Sequence, residues 1–295
     1  MNALFPAPSL IHLSNPLRRW THCLGRNWAR LSYGYHVEPT WLEVNRHNIP
    51  IADLPAEFDG FRIVQLSDLH CSGQMPSHFL DEAIELAQEQ EADLAVVTGD
   101  FVHKGYKHIE TATAAVARLS VPHGVHAVLG NHDFAVRNAL GIRHYRGLHQ
   151  RIADALSERG VQVLRNRNLK LERGGASIFL CGVDDLWSRA CDLAGAFDGI
   201  PADAPRILLA HNPRTIEQLD DRRCDLMLSG HTHGGQINWP GYGPLFLGRK
   251  TRRFASGLFR LDNTHLYVNK GVGFGLPFRF RVRPEVAVLT LRRAS

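Results

Sequence analysis

Apolar residues in this chain gather in short unbroken runs, each closed by a polar cluster. Phe61-Arg62-Ile63-Val64-Gln65-Leu66 runs into Ser67-Asp68-Leu69-His70. Leu94-Ala95-Val96-Val97 runs into Thr98-Gly99-Asp100, and Val125-His126-Ala127-Val128-Leu129 into Gly130-Asn131-His132-Asp133. Runs this short, without helical spacing, predict buried strands. Between the first two, Pro76 opens a segment that sets Phe79, Leu80, Ala83, Ile84 and Ala87 on one helical face. A second helix is predicted around Ile109 to Leu119. Strands alternating with helices are the mark of parallel βαβ units, whose functional groups collect at the carboxyl ends of the strands. Those ends are where the polar clusters lie.

The flanking pattern is less regular. Trp41 to Val44 and Ile49 to Ile51 read as two short opening strands broken by Asn48 and Pro50. After a helix near Gly147 to Arg159, the segments Val161–Leu164, Lys170–Glu172 and Ile178–Val183 read as antiparallel strands, with a Gly174-Gly175 hairpin turn. Ile207 to Ala210 is a strand ending at His211-Asn212-Pro213, where Asn212 can cap a helix opened by Pro213. Asp225 to Leu228 is another, ending at Ser229-Gly230-His231-Thr232-His233-Gly234-Gly235-Gln236. His265 to Val268 and Val286 to Leu291 are expected to close the sheet. Without a repeat, low-complexity tract or linker, residues 38–295 read as one catalytic domain.

Residues 1–37 differ in character. They hold Arg18, Arg19, Arg26 and Arg30 and no acidic residue, and so carry most of the chain's net charge of +5. Leu17, Trp20, Leu24, Trp28 and Leu31 share one helical face, with Asn15 as cap, Pro16 as first helical residue and Gly34 as terminator. Such a basic amphipathic helix can lie on an anionic membrane through residues 15–33, or pack its stripe on the domain. No apolar run is long enough to span a bilayer, and the residues after Arg18-Arg19 are not the apolar core of an export signal. Five cysteines with no Cys-x-x-Cys pair argue against a disulfide framework and for a reducing compartment. A cytoplasmic protein, peripheral on the inner face of the cell membrane, is the expectation.

The strand-end clusters supply the chemistry. Asp68, His70, Asp100, Asn131, His211, His231 and His233 are seven potential ligands, more than one transition metal takes from protein. Two ions about 3.5–4 Å apart, sharing a carboxylate, would use them economically. Mixed nitrogen and oxygen donors suit Mn, Fe or Zn better than Mg or Ca. Each fragment alone is commonplace: Gly99-Asp100 can be a turn, Asn131 to Asp133 a cap, and His211 a structural histidine. Their joint occurrence, always at strand ends, is what points to metal.

The blocks Asp68-Leu-His70, Gly99-Asp100, Gly130-Asn-His-Asp133, His211 and Gly230-His-Thr-His233 resemble those of the calcineurin-like metallophosphoesterase family. The resemblance implies an α/β fold, a four-layer α/β/β/α sandwich with two mixed sheets. It implies that Asp68, His70 and His233 hold one ion and Asn131, His211 and His231 the other, with Asp100 as bridge and His132 unligated beside the substrate as the catalytic histidine. The chemistry would be in-line attack on phosphorus by a hydroxide shared between the ions, with His132 protonating the leaving group or stabilising its charge. Asp133 would orient a neighbour or serve as a cap.

His233-Gly-Gly-Gln236 with Pro240, and Gly271-Val-Gly273 through Arg279 to Pro284-Glu285, are similar to one bacterial branch, that of membrane-associated phosphodiesterases and UDP-2,3-diacylglucosamine pyrophosphatases. A phosphodiesterase on a lipid- or nucleotide-sugar-linked diester or pyrophosphate is therefore expected. A phosphomonoesterase with the same site and a non-catalytic metal-binding scaffold are the alternatives. Tyr242 to Phe246 followed by Arg249, Lys250, Arg252 and Arg253 would suit a lipid-linked phosphate. So would Phe278, Phe280 and Val282 alternating with Arg279, Arg281 and Arg283, read as a strand with one apolar and one cationic face. Ordinary half-buried strands show the same alternation. Nucleic acid is not an expected partner, because no basic run is interleaved with aromatics.

Overall fold

The computed structural model describes residues 16–136 and 145–294. Two six-stranded mixed sheets face each other. The first is built from β1 (Glu43–Ile51), β2 (Arg62–Leu66), β3 (Leu94–Thr98), β4 (Val125–Val128), β5 (Gln162–Val163) and the last strand, β14 (Glu285–Arg293). Its order is β1-β14-β2-β3-β4-β5, with β2 to β5 parallel to one another and β14 antiparallel to β2. The second sheet holds β6 (Arg167–Arg173), β7 (Ala176–Gly182), β8 (Arg206–Leu209), β9 (Leu226–Ser229), β12 (Gly257–Leu261) and β13 (Thr264–Val268). Its order is β12-β13-β9-β8-β7-β6, and its central four strands are parallel.

The central strands are short and buried on both faces, which is why their residues are apolar without alternation. Between the sheets, Ile63, Val96 and Val128 pack with Leu180, Ile207, Leu209 and Leu228. On the outer face of the first sheet, Val64, Leu66 and Val97 meet the apolar stripes of α2 (Ser77–Gln88), α3 (Ile109–Val116) and α4 (Leu148–Ser157). The outer layer of the second sheet is thinner. It consists of α5 (Leu193–Phe197) and a 3-10 turn, Pro213–Gln218, capped by Asn212, whose side chain accepts the Arg214 N–H at 3.0 Å.

Several expectations change. The opening strand is continuous through Asn48 and Pro50, because β1 is an edge strand pairing only with β14 and a proline there sacrifices no central ladder bond. Val161–Leu164 does not join the antiparallel group; Gln162 and Val163 pair parallel with β4. Only β6 and β7 form the expected hairpin, and β7 then runs parallel to β8. The two final strands join different sheets and close neither: β13 lies inside the second, between β12 and β9, and β14 inside the first, between β1 and β2.

Phe278 to Arg283 is not a two-faced strand. Arg281 has φ +58°, which breaks extension, and Arg279 is fully buried. Its guanidinium donates to the carbonyls of Lys270 (3.1 Å), Gly271 (3.1 Å), Gly273 (2.6 Å) and Val282 (3.3 Å). The segment is a strap, and Arg279 ties it to the loop after β13.

α1 (Pro16–His36) lies across this strap. The cap assigned to Asn15 and the side chains of Leu17, Arg18 and Arg19 lie outside the described residues. Gly34 does not end the helix; it lets the helix touch the strap, since a Cβ there would stand 2.7 Å from the Phe278 ring, and its carbonyl accepts the Arg279 N–H at 2.9 Å. Tyr33 meets Phe280 edge-on at 6.4 Å, and Arg30 covers the Trp239 ring at 5.7 Å. The apolar stripe of Trp20, Leu24, Trp28 and Leu31 is exposed, so the domain does not bury it. Among the described residues no helix is long and apolar enough to cross a membrane.

Candidate metal centre

Every predicted site residue sits just beyond a parallel strand, on the rim where the two sheets meet. β2 delivers Asp68 and His70, β3 Asp100, β4 Asn131 and His132, β8 His211, and β9 His231 and His233. Asp68, His70, Asp100, His231 and His233 all have φ between +46° and +73°, the left-handed region that side chains other than glycine rarely adopt. Strain of this kind concentrates at functional sites and needs surrounding structure to hold it. Gly230 permits the closest approach: a Cβ there would overlap Ser67 Oγ and Asp68 Oδ2.

The donor atoms form two clusters. In the first, His233 Nε2 lies 2.9 Å from His70 Nε2 and 3.3 Å from Asp68 Oδ1. In the second, Asn131 Oδ1 lies 2.8 Å from His231 Nδ1 and 3.2 Å from His211 Nε2. Asp100 Oδ2 stands between them, 3.4 Å from His70 Nε2 and 3.3 Å from His211 Nε2. Ligands on bonds of about 2.1 Å are separated by roughly 3.0 Å when octahedral and 3.4 Å when tetrahedral. The observed spacings run from 2.8 Å, just under the octahedral separation, to 3.4 Å, the tetrahedral one, so both clusters fit a divalent cation, and Asp100 has the placement of a bridge.

Neighbouring groups orient these donors. The His132 backbone N–H donates to Asp100 Oδ1 at 2.9 Å, leaving Oδ2 to face the two histidines. His211 Nδ1 donates to Thr98 O at 2.7 Å, directing Nε2 inward. Asn131 Nδ2 donates to Val136 O at 2.7 Å, which fixes Oδ1 toward the site. Asp68 accepts Ser67 Oγ at 2.6 Å and the His231 N–H at 3.0 Å. His132 Nδ1 donates to His103 O at 2.8 Å, which fixes that nitrogen as an N–H.

Burial governs the charges. It holds His70 and His233 well below the ordinary imidazole range and takes His231 down to about 3, so all three are neutral and keep a lone pair for a metal. Burial also raises Asp68 to about 6. Asp100 and His211 behave as an ion pair. Burial opposes both charges, but the pair's attraction raises His211 to about 10 and keeps Asp100 well below the carboxylate range.

Three groups escaped the sequence reading. Asp185 is buried and pushed up to about 7 by burial, with its Oδ2 accepting the Ser188 N–H at 2.7 Å. Trp187 meets His231 edge-on at 4.4 Å. Both follow β7, and the strand-end rule would have found them had β7 been read as parallel. The His103 ring lies 5.3 Å from that of His132, tilted by 34°, and falls within ligand range of His70 and His132; no local pattern singles it out. The cleft over the donors measures about 570 Å3, and Phe246, Leu247 and Leu276 form its apolar wall.

A double-sheet α/β protein with two clusters of metal-donor atoms and a carboxylate between them has the make-up of a metal-dependent hydrolase. Residues 61–235 match the calcineurin-like phosphoesterase family, and the chain belongs to it. It is a hydrolase of that family, whose members bind divalent metals. It is 34% identical over 269 residues to the uncharacterized metallophosphoesterase YkuE of Bacillus subtilis (strain 168), covering 89% of this chain and 91% of that one. It is 33% identical over 263 residues to the phosphodiesterase YaeI of Escherichia coli (strain K12), covering 88% and 92%. The UDP-2,3-diacylglucosamine pyrophosphatase LpxG of Chlamydia trachomatis (serovar D) is 30% identical over 322 residues, with 94% of each chain covered.

Proposed function

We propose that this hydrolase is a dinuclear phosphodiesterase acting on a lipid- or nucleotide-sugar-linked phosphodiester or pyrophosphate. The observation that carries the reading is the position of Asp100 Oδ2, nearly equidistant from His70 and His211 and flanked by a donor cluster on each side. Asp68, His70 and His233 would hold one ion, Asn131, His211 and His231 the other, and Asp100 both. Mn, Fe and Zn suit these donors. Bound there, the ions would acidify a water and neutralise phosphoryl charge.

The chain's own groups do the rest. His132 faces the cleft with its Nδ1 proton held by His103 O, so its Nε2 can carry a second proton to the leaving oxygen or stabilise charge there. The apolar wall gives a hydrocarbon or sugar-linked group a surface to lie on. The relatives named a phosphodiesterase and a diacylglucosamine pyrophosphatase favour a diester or pyrophosphate over a monoester. The exposed stripe of α1 supports peripheral contact with an anionic membrane from its cytoplasmic face.

Metal-stripped protein with Mn²⁺ restored should cleave bis-p-nitrophenyl phosphate faster than the monoester. A diacylglucosamine-linked UDP pyrophosphate should be a better substrate than either. Preference for the monoester would replace this reading with a phosphatase, and bound metal without turnover on any of the three would replace it with a scaffold.

A further inference from the structure

A second apolar surface lies beside α1, at the mouth of the cleft. Strands β10 (Asn238–Trp239) and β11 (Gly243–Pro244) form a short hairpin with Tyr242 in its turn. The chain leaving it carries Leu245 and Phe246, then the turn α6 (Arg249–Arg252). Tyr242 is 74% exposed and Phe246 67%, values matching Trp20 at 69% and Trp28 at 74% on the helix. Leu245 and Leu276 are exposed as well. The two surfaces adjoin, because Trp239 of the hairpin lies under Arg30 of α1 and against Phe280 of the strap at 5.5 Å. The hairpin surface also runs into the cleft: Phe246 and Leu276 line it together with His70, Asp100 and His132.

Charge distinguishes this face from an ordinary apolar patch. From Leu226 to Leu261 the chain has no acidic residue, and α1 has none either. Arg26 on the helix and Arg249, Lys250, Arg252 and Arg253 behind the hairpin are exposed. None of the five forms a salt bridge among the described residues. Apolar side chains ringed by unpaired cations are what an anionic lipid surface recognises. A second copy of the chain would bring the same cations against one another across a two-fold interface.

We propose that the cleft opens onto an anionic bilayer through two docking elements, α1 and the Tyr242–Phe246 hairpin loop, and draws its substrate from the membrane plane. This rests on the reading that the substrate carries a lipid. Its acyl portion would leave the bilayer along Phe246, Leu247 and Leu276 while its phosphate reaches the donors.

The test uses the full chain in co-sedimentation with vesicles of phosphatidylcholine alone or containing phosphatidylglycerol. Turnover of a soluble chromogenic diester is measured beside it. Wild type should bind the phosphatidylglycerol vesicles, and Tyr242→Ser/Leu245→Ser should lower that affinity by about tenfold or more, as should Trp20→Ser/Trp28→Ser. Arg249→Glu/Lys250→Glu should abolish the preference for anionic over neutral vesicles. Soluble-diester turnover by all three variants should stay at the wild-type level, which also shows that they fold. Hairpin variants binding like wild type would overturn the proposal. So would wild type that ignores anionic vesicles, or one that forms a dimer dissolved by the same substitutions. Vesicle binding that obeys these expectations in a wild type unable to cleave the soluble diester would overturn the catalytic reading and leave the docking surface standing.

Discussion

The carboxylate of Asp133 lies beneath the backbone of Asp100 and accepts its N–H at 2.8 Å. The same carboxylate takes the N–H groups of Phe101 and Gly130, each at 2.9 Å. It thereby stitches the end of β3 to the end of β4 and holds Asp100 in its left-handed conformation. Asp133 is a positioning residue. Asp133→Ala would strand several buried N–H groups and cost about 3 kcal/mol of stability, while metal affinity should fall about 10–100-fold. Thermal unfolding and metal titration of the variant check both numbers. An unchanged midpoint and unchanged affinity would mean that β3 and β4 hold Asp100 without it.

His132 sits in the cleft but outside both donor clusters. Its replacement by Ala should lower kcat about 10²–10⁴-fold while leaving metal content intact. Metal analysis and steady-state kinetics on one preparation separate the two effects. Loss of metal along with activity would make His132 a ligand instead.

His211 links metal loading to pH. Its ordinary value of 6.5 is raised to about 10 by Asp100, against burial. In the metal-free protein its share of the ion pair is therefore fully present below 6.5 and is lost as pH rises through about 10. A ligating imidazole must be neutral. Metal binding at neutral pH should therefore release a proton, and affinity should weaken as pH falls. Calorimetric titration in two buffers of different ionisation enthalpy measures the proton directly. Identical heats in both would contradict the Asp100–His211 pairing.

The cysteines are all free thiols. Burial pushes Cys71, Cys181 and Cys191 up to about 12 and raises Cys224 well above the ordinary thiol range. Cys23 alone is exposed. Iodoacetamide at mildly alkaline pH should therefore modify Cys23 in the native protein and reach the others only after unfolding. Peptide mapping reads the result; rapid labelling of Cys71 or Cys224 would show that the core opens readily.

Much of the site was legible because its residues follow parallel strands whose apolar runs are unmistakable. Each candidate ligand then stands in a short polar word at a fixed offset, as in Gly230-His-Thr-His233. What escaped notice depends on pairing partners far away in sequence. Nothing local says that β7 lies beside β8 rather than being the far arm of a meander, so Asp185 and Trp187 were passed over. Arg279 misled for a related reason. Alternating Phe and Arg looks like a two-faced strand, yet the guanidinium turns inward because the carbonyls of Lys270, Gly271 and Gly273 converge on it. Only the fold brings those acceptors together. The stripe on α1 is legible as apolar residues at helical spacing, but periodicity alone does not say whether protein or solvent lies against it.

The central claim is that Asp100 bridges two ions that act together. Its most direct test titrates metal-stripped protein with Mn²⁺ and follows bound metal and diester hydrolysis in the same samples, for wild type and Asp100→Asn. Wild-type activity should climb to a plateau at two equivalents, and the variant should lose at least about 10³-fold of that activity. Full activity at one equivalent, or a variant within about tenfold of wild type, would contradict the bridge.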